Sequence, residues 1–485
     1  MKHLSRLPAP PRLTGGLLPQ LLSVCLALAG LPAAAAEPAP SGTTPVQQAA
    51  SPSARWQLLS LAMSGERLVG EQAPRPSQAE VPVPVSQTLL LDRDGRFRLV
   101  TGSQYPGPIQ FSFLQTGGPD GSATVDLLKW RNGTEILRKN AEAARADLAE
   151  LQFLAPALLL ELAASQGLRP AAGASQLDFK DLAGRPAQLL LDAGTGEPRA
   201  AISASRRYDY ADFQPLADGL RQPRRISESR AEKTLVRWQL QAQTMAGPLP
   251  GVFDLPAGYV EATAASGLRA TPIGPGCYRV DGAASSYHSA FSIGERGIVV
   301  YDAPVSVAEA NQVRAQIAQL APGRPVSHVL ISHTHRDHIA GLPAFASEQL
   351  QILAGPEATQ AVRRQHGEAL AARVSELREV NELDLGDRRI RLMPLANSHA
   401  NESLVAFDSA CGALFQGDLF YIPDVGPVPA AFAMSKDLDQ LIQREALPVQ
   451  LIVGVHGRSG TLAELRQSLK LADTLRKLQP EAHKH

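Results

Sequence analysis

The sequence predicts an α+β protein with two folded regions, and three observations support this prediction. The chain has 485 residues, 44% of them hydrophobic and 19% charged, and this length exceeds what one hydrophobic core usually supports. In the first half, strand-like segments separated by turn signals, together with one helical stretch, predict an antiparallel sheet with helices. In the second half, strand and helix patterns alternate, which predicts mixed sheets with helices outside.

The charges of the chain are balanced, with 47 Lys and Arg against 47 Asp and Glu. A balanced chain offers no electrostatic footprint for nucleic acid or for an anionic membrane. The composition therefore favours a small-molecule substrate and argues against a nucleic-acid partner.

Residues 1–36 have the pattern of a secretory signal peptide. Basic residues precede the apolar run 17–31, and small residues then supply a cleavage site after Ala36. We therefore expect a periplasmic or secreted protein. A lipoprotein anchor at Cys25 is the alternative, which is disfavoured because Val24 rather than a small residue precedes it. No later stretch approaches the roughly 20 apolar residues of a spanning helix, so no integral membrane span is expected.

Residues 37–54 are rich in Pro, Ala, Ser and Thr and have no hydrophobic period, which predicts a flexible linker. The N-terminal β-rich region is expected at 55–262 and the C-terminal region at 263–485. In the N-terminal region, turn signals and apolar spacing predict one or two helices at 140–165. The predicted strands are 87–91, 96–101, 109–114, 176–180, 187–192, 200–208 and 233–243.

The N-terminal region carries no cluster of His, Cys or paired carboxylates at ligand spacing and no Gly-rich phosphate loop. Its predicted sheet over a helix, and the segment 219–259 with its ending 252–256, resemble the half-barrel of bacterial lipoprotein-carrier domains. The resemblance implies a region that binds an apolar ligand. A scaffold or a lid over the C-terminal region is the alternative.

Two cysteines follow the predicted leader, Cys277 and Cys411, and both are next to predicted strands. One disulfide in an oxidising compartment and two buried free thiols are both compatible with this placement.

The C-terminal region opens with three strands and then alternates between strands and helices. Its predicted strands are 276–280, 289–293, 298–302, 326–332, 351–354, 379–383, 388–395, 404–407, 413–416 and 451–455. Its predicted helices are 307–320, 356–366, 436–444 and 462–478.

The strongest functional signal follows the buried strand predicted at 326–332, where the sequence runs His333-Thr334-His335-Arg336-Asp337-His338. Four potential metal ligands occupy these six positions. Imidazole nitrogens and carboxylate oxygens suit a borderline divalent cation such as zinc. A chance cluster is the alternative, but the chain has only 11 histidines and the preceding strand fits a metal loop.

This His-x-His-x-Asp-His motif after an apolar strand resembles the metallo-β-lactamase superfamily. The superfamily supplies three further ligands downstream, each at a strand end, and this sequence has His399, Asp418 and His456 at such places. The resemblance implies an αββα sandwich for the C-terminal region.

The resemblance also implies a role for each ligand residue. His333, His335 and His399 would hold one metal ion, Asp337, His338 and His456 would hold a second, and Asp418 would bridge both. Two Zn²⁺ ions are expected, with iron or manganese as alternatives. Asp337 is the candidate catalytic residue, as a proton acceptor or to orient the nucleophile. Asp302 would support the metal loop. The alternative is that it is an exposed Asp at a strand end without this role.

With Asp418 where one group of zinc β-lactamases has Cys, the predicted site is more similar to glyoxalase II and related esterases. A dinuclear centre lowers the pKa of a bridging water from about 15.7 toward neutrality and polarises a carbonyl or phosphoryl oxygen. We therefore expect a hydrolase for an ester, thioester, lactone or amide, and a β-lactamase is the narrower version.

Two other classes of function remain open. One is an iron-dependent redox enzyme similar to persulfide dioxygenases and flavodiiron proteins, and the other is an apolar-ligand binding protein with an accessory metal domain. The neutral charge argues against a nuclease. Tyr287 and His288 are excluded from the ligand set, because a Tyr-His pair beginning a strand is more often structural. The loop 421–427 is expected to shape substrate access.

Overall fold

The computed structural model describes residues 56–478 except 108, 170–172, 205, 217–218, 248, 263–266 and 284–285. The predicted signal peptide (1–36) and linker (37–54) lie outside these residues. Within the described part, a 13-stranded sheet precedes a 7-stranded and a 5-stranded sheet. Helices accompany all three sheets, so the predicted α+β class is confirmed.

The 13-stranded sheet has the order β13-β6-β5-β4-β3-β2-β1-β12-β11-β10-β9-β8-β7. Its strands are β1 (Leu58–Gly70), β2 (Glu80–Asp92), β3 (Phe97–Tyr105), β4 (Ile109–Gly118), β5 (Gly121–Asp126), β6 (Glu135–Lys139), β7 (Gln176–Lys180), β8 (Pro186–Leu191), β9 (Pro198–Ser203), β10 (Arg206–Pro215), β11 (Arg221–Arg230), β12 (Lys233–Met245) and β13 (Val260–Glu261). The pairings are antiparallel except that of β13 with β6. Strand β1 lies in the middle, between β2 and β12.

Two helices, α1 (Ala141–Gln152) and α2 (Pro156–Ser165), pack against this sheet. Helix α1 begins where the Asn140 side chain accepts a hydrogen bond from the Ala143 N–H, and α2 begins with Pro156, which needs no N–H partner. Alternate residues of β8 are buried, which is the period of a strand with one face on a core. Leu159 and Leu160 of α2 join that core, so the helices cover the apolar face of the sheet.

One predicted strand is wrong. The segment predicted as a single strand at 200–208 forms parts of β9 and β10, which pair antiparallel with Arg206 opposite Ser203. The chain turns after Ser203, where Ala204 has a positive φ of 48°. A turn made by alanine carries none of the Gly, Pro or Asn signals that mark turns in a sequence, so the apolar pattern runs through it without a break.

The C-terminal region holds the other two sheets, ordered β14 to β20 and β21 to β25. The first contains β14 (Arg269–Gly274), β15 (Cys277–Asp281), β16 (Ser289–Gly294), β17 (Gly297–Tyr301), β18 (Val326–Leu330), β19 (Gln351–Ala354) and β20 (Val374–Glu376). The second contains β21 (Asn381–Asp384), β22 (Arg389–Leu395), β23 (Ser403–Asp408), β24 (Ala413–Phe415) and β25 (Leu451–Val453). The helices are α3 (Val307–Leu320), α4 (Arg336–Ile339), α5 (Ala358–His366), α6 (Glu368–Ala371), α7 (Ala433–Arg444) and α8 (Leu462–Leu478), with a 3₁₀ turn at Leu342–Phe345.

These two sheets pack face to face. One apolar core joins residues of both, and within it the rings of Tyr301 and Phe415 stack with centroids 3.6 Å apart. Helices α3 and α5 cover the outer face of the first sheet, and α7 and α8 cover that of the second. This is the αββα layering that the family resemblance implied for the region.

A disulfide between Cys277 and Cys411 resolves the alternative that the sequence left open. Cys277 lies on β15 of the first sheet, and Cys411 lies in the turn between β23 and β24 of the second. The bond therefore joins the two layers of the sandwich covalently.

The 13-stranded sheet rests on the sandwich through its β3–β4 hairpin. Ile109 belongs to the same core as α7, and Tyr105 and Phe111 pack against that core. The ring of Trp130 also meets that of Phe432 edge to face at 4.6 Å. These contacts place the loops of the N-terminal region beside the strand ends of the C-terminal one.

Within the described part of the chain, no single helix is long and apolar enough to cross a membrane. Helices α1 and α2, which meet at 119°, pass such a test only when they are taken together.

Candidate metal centre

The seven predicted ligand residues lie in four segments that follow strands of the sandwich. His333, His335, Asp337 and His338 follow β18, His399 follows β22, Asp418 follows β24 and His456 follows β25. The structure brings all seven together in two adjoining groups of candidate ligand atoms, each group fitting within 4.8 Å. Their role as metal ligands stays a prediction.

The first group, called the imidazole trio, consists of His333, His335 and His399. The Nε2 atom of His333 lies 3.0 Å from Nδ1 of His335 and 3.1 Å from Nε2 of His399. All three side chains are buried. Three imidazole nitrogens that face one another at this distance can converge on a single divalent cation.

The second group, called the mixed quartet, consists of Asp337, His338, Asp418 and His456. Oδ2 of Asp337 lies 3.7 Å from Nε2 of His456 and 3.9 Å from Nε2 of His338. His338 is fully buried, whereas the other three side chains are slightly exposed. Two imidazoles and two carboxylates give this group a higher negative charge than the trio.

Asp418 faces both groups. Its Oδ2 atom lies 3.5 Å from Nε2 of His399, and its Oδ1 atom lies 3.2 Å from Nε2 of His338 and 3.3 Å from Nε2 of His456. Gly417 makes this placement feasible, because it has a φ of 65° and a Cβ there would be 2.3 Å from the Ser332 hydroxyl oxygen. One carboxylate thus presents one oxygen to each group, as a bridging ligand does.

The hydrogen bonding of the buried atoms fits a cation in the mixed quartet. Oδ1 of Asp418 and Nε2 of His338 are buried and make no well-aligned hydrogen bond within the described residues. Buried polar atoms without partners are costly, and each such case in a folded protein calls for an explanation. A divalent cation between these atoms would satisfy both, so the residues present fit the predicted metal ions.

Asp302 supports the metal loop as the sequence suggested. Its Oδ1 atom accepts a hydrogen bond of 2.7 Å from the Ser332 N–H, and its Oδ2 atom lies 3.2 Å from Nδ1 of His338. The exposed alternative is wrong, because Asp302 is only 2% exposed. A carboxylate on Nδ1 leaves Nε2 of His338 available toward Asp418.

Two further side chains hold the ligand segments and were missed by the sequence analysis. Glu402 accepts hydrogen bonds from the N–H and the hydroxyl of Thr334, which lies between two ligands of the motif. Asn397 accepts hydrogen bonds from the N–H groups of His399 and Ala400. These contacts fix the backbone on which the trio is mounted.

Burial and neighbouring charges shift the pKa values of several predicted ligands in different directions. Burial, reinforced by the neighbouring imidazoles, lowers the pKa of His333 well below its usual value and that of His335 to about 3. Burial acts in the same direction on His338, but the carboxylates of Asp418, Asp302 and Asp337 outweigh it and raise the His338 pKa. Burial would raise the pKa of Asp418, yet His338 and His456 lower it well below the usual range. His333 and His335 therefore offer neutral imidazoles, and Asp418 offers an ionised carboxylate.

A loop of the N-terminal region touches two of the predicted ligands. It comprises residues 71–79, between β1 and β2, and is called the β1–β2 loop below. The Ala73 carbonyl oxygen lies 3.1 Å from Nε2 of His335, and Nε2 of Gln72 donates a hydrogen bond of 3.0 Å to Oδ1 of Asp337. Sequence reasoning missed both contacts.

Tyr287 lies at the rim of the centre. Its hydroxyl donates a hydrogen bond of 3.2 Å to Oδ2 of Asp337, and its ring meets that of His456 at 4.6 Å. Burial, followed by the Asp337 charge, raises the pKa of Tyr287, so the phenol keeps its proton at neutral pH. The sequence analysis excluded Tyr287 from the ligand set. The structure places it at the site as a hydrogen-bond donor.

The rest of the rim combines both regions. Arg131, in the loop between β5 and β6, places Nη2 3.3 Å from the Tyr287 hydroxyl, and the Tyr421 hydroxyl donates to the Arg131 carbonyl. Tyr421 begins the 421–427 loop, whose predicted role in substrate access stays a prediction. His288 lies apart from both ligand groups, with Nδ1 3.1 Å from Oδ1 of Asp281.

Residues 298–477 match a family model described as the beta-lactamase superfamily domain. No curated protein is similar enough in sequence to count as a relative. Among solved structures, the chain is similar to an inverting sec-alkylsulfatase from Pseudomonas sp., with 13% identity over 44% of this chain and 42% of that one and a TM-score of 0.35. The chain therefore spans less than half the length of that alkylsulfatase.

Two other solved structures are similar over the same share of the chain. A metallo-β-lactamase from Pontibacter korlensis has 17% identity, covers 43% of this chain with 99% of its own length, and gives a TM-score of 0.35. A flavo di-iron protein variant from Thermotoga maritima has 14% identity, covers 42% of this chain with 62% of its own, and gives a TM-score of 0.34.

Proposed function

We propose that the protein is an exported hydrolase of the metallo-β-lactamase superfamily that uses two zinc ions to activate water. The match of residues 298–477 to a beta-lactamase superfamily domain supports this proposal. One observation carries the proposal. Asp418 directs one oxygen toward His399 and the other toward His338 and His456, so a single carboxylate connects two groups that can each hold a cation. The activated water would attack an ester, thioester, lactone or amide bond.

The residues divide the work of the centre. The imidazole trio would hold one ion, Asp337, His338 and His456 would hold the other, and Asp418 would bridge them. Ions held by these residues would supply an activated water molecule at neutral pH and would polarise the oxygen of the bond to be cleaved.

Two hydrogen bonds hold the carboxylate of Asp337 in place. One of its oxygens accepts a hydrogen bond from Gln72 and the other accepts one from the Tyr287 hydroxyl. A carboxylate held by two donors keeps a fixed direction, which supports its proposed role in orienting the nucleophile. Tyr287, with its proton retained, can in turn donate to an oxygen of the substrate at the rim.

The substrate is proposed to be a small molecule that enters between the two regions. Tyr287 and Tyr421 supply aromatic surface beside His456, and Arg131 supplies a positive charge. Contributions from both regions to one rim favour a scaffold or lid role for the N-terminal region. The cavity beside α2, about 20 Å³ in volume, has room for about one water molecule, which gives no support to an apolar ligand there.

Elemental analysis of the purified protein, combined with a panel of chromogenic esters, thioesters, lactones and β-lactams, tests the proposal. The expected result is about two zinc ions per chain and hydrolysis of at least one substrate class that stops after treatment with a chelator. Tightly bound iron with oxygen consumption, and no hydrolysis, would overturn the proposal in favour of the redox alternative.

A further inference from the structure

We propose that the β1–β2 loop, which belongs to the N-terminal region, is a structural part of the metal centre and sets how tightly the metal ions are held. The loop reaches the centre through Gln72 and through the carbonyl of Ala73, each within hydrogen-bond distance of a predicted ligand. Gln72 is proposed to act as a positioning residue, because it touches a ligand rather than the reacting atoms.

The first contact fixes the proton of His335. A carbonyl oxygen can only accept a hydrogen bond, so Nε2 of His335, 3.1 Å from the Ala73 oxygen, must carry the ring proton. The lone pair then lies on Nδ1, which is the atom that faces His333 at 3.0 Å. Ala73 thereby selects the tautomer in which His335 can bind a metal ion together with the rest of the trio.

The second contact fixes the carboxylate of Asp337. Gln72 donates to Oδ1 at 3.0 Å, and this leaves Oδ2 toward His456 and His338. A carboxylate with one oxygen occupied by a donor presents the other in a single direction. Without the amide of Gln72, the carboxylate would keep only the hydrogen bond from the Tyr287 hydroxyl to Oδ2, so its direction would be less firmly fixed.

The loop is clamped to the segments that carry the ligands. The Arg336 N–H donates to the Glu71 carbonyl at 3.2 Å, and the Asn401 N–H donates to the Pro74 carbonyl at 2.9 Å. Arg364 donates both to the Glu71 carboxylate and to the Pro76 carbonyl. Ala73 is only 5% exposed. The loop thus braces the motif on one side and the His399 segment on the other.

A contact that orients a metal ligand from outside typically contributes a factor of about 10–100 in metal affinity. We therefore expect Gln72→Ala to weaken binding of one metal ion by about 10–100-fold and to leave the other ion nearly unaffected. Competition between the metal-free protein and a chelating zinc indicator measures both affinities. Gln78→Ala is the matched control, because Gln78 is exposed in the same loop.

A second variant separates hydrogen bonding from packing. Gln72→Glu keeps the size of the side chain but replaces the hydrogen-bond donor with a carboxylate beside Asp337. We therefore expect it to weaken zinc binding at least as much as Gln72→Ala does. A purely structural role would instead lower the melting temperature of the metal-free protein. We expect that temperature to stay within a few degrees of the parent value.

The outcomes distinguish this inference from the proposed function on which it rests. If the parent protein binds no metal ion, the proposed function fails. If the parent binds two ions and Gln72→Ala binds them with the same affinities, only the role of the β1–β2 loop is overturned. That role is also overturned if Gln72→Ala and Gln78→Ala weaken zinc binding to the same extent.

Discussion

Two turn carboxylates of the N-terminal region and the candidate bridging carboxylate of the C-terminal region are satisfied in different ways. In the N-terminal region, Asp181 accepts hydrogen bonds from the N–H groups of Ala183 and Arg185, and Asp92 accepts one from the Asp94 N–H. Each of these carboxylates closes its own turn. Asp418 instead faces four imidazoles from distant segments, and its Oδ1 atom lacks a well-aligned hydrogen bond among the described residues. A buried carboxylate that bonds to N–H groups of its own turn indicates a structural role. A buried carboxylate clustered with other ionisable side chains indicates a functional site.

The largest effect is expected from Asp418→Ala. Removal of the bridging carboxylate takes an anionic ligand from both predicted ions. If this forfeits about 4 kcal/mol of transition-state stabilisation, hydrolysis slows by about 1,000-fold. Steady-state kinetics with the best substrate of the panel measures the loss, and elemental analysis should show at most about one ion per chain, held by the intact imidazole trio. Retention of both ions with normal activity would remove Asp418 from the site.

The imidazole trio and the mixed quartet can be separated by removing one member of each. His399→Ala and His456→Ala should each reduce the metal content from about two ions to about one per chain, because the other group keeps its own ligands. Elemental analysis after gel filtration gives the stoichiometry. His328→Ala is the control, since His328 lies in β18 outside both groups, and it should keep both ions. Loss of both ions in either ligand variant would show that the two groups do not bind independently.

The two regions also differ in how their sheets are held together. The N-terminal region has one continuous sheet, whereas in the C-terminal region a disulfide joins two separate sheets. The Cys277–Cys411 bond closes a loop with a sequence separation of 134 residues. Replacing both cysteines with serine should lower the free energy of unfolding by about 2–5 kcal/mol, because the unfolded chain is no longer constrained. Denaturant unfolding with and without the bond measures this difference. A change below about 1 kcal/mol would contradict it.

Asp181→Ala provides the smallest effect and the sharpest contrast with Asp418→Ala. The Ala183 and Arg185 N–H groups lose their acceptor, which should cost about 1–3 kcal/mol of folding free energy. Metal content and activity should stay at the parent level, since Asp181 belongs to neither ligand group. Loss of metal in this variant would break the distinction between turn carboxylates and site carboxylates.

Much of the C-terminal region was predictable because its signals are local. The helices at 307–320 and 462–478 agree with α3 and α8 at both ends, and the ligand residues follow strands as their motif implied. The pairing of Cys277 with Cys411 was not predictable, because it depends on a distance that no local pattern encodes.

The N-terminal region was less predictable for two reasons. Strand β11 carries several arginines, since part of each of its faces meets solvent, so it shows little apolar pattern. The contacts of the β1–β2 loop left no signal at all. Ala73 acts through a backbone carbonyl, which every residue type has, and Gln72 is a single amide far from the motif in sequence.

The central position of β1 has a consequence for the order in which the protein can fold. This strand is made early, yet one of its two edges pairs with β12, the Lys233–Met245 strand. Until the ribosome has made that later segment, the edge of β1 that pairs with β12 stays open. The N-terminal region must therefore complete its sheet late, by a long-range pairing of the kind that slows folding and leaves strand edges open to other chains.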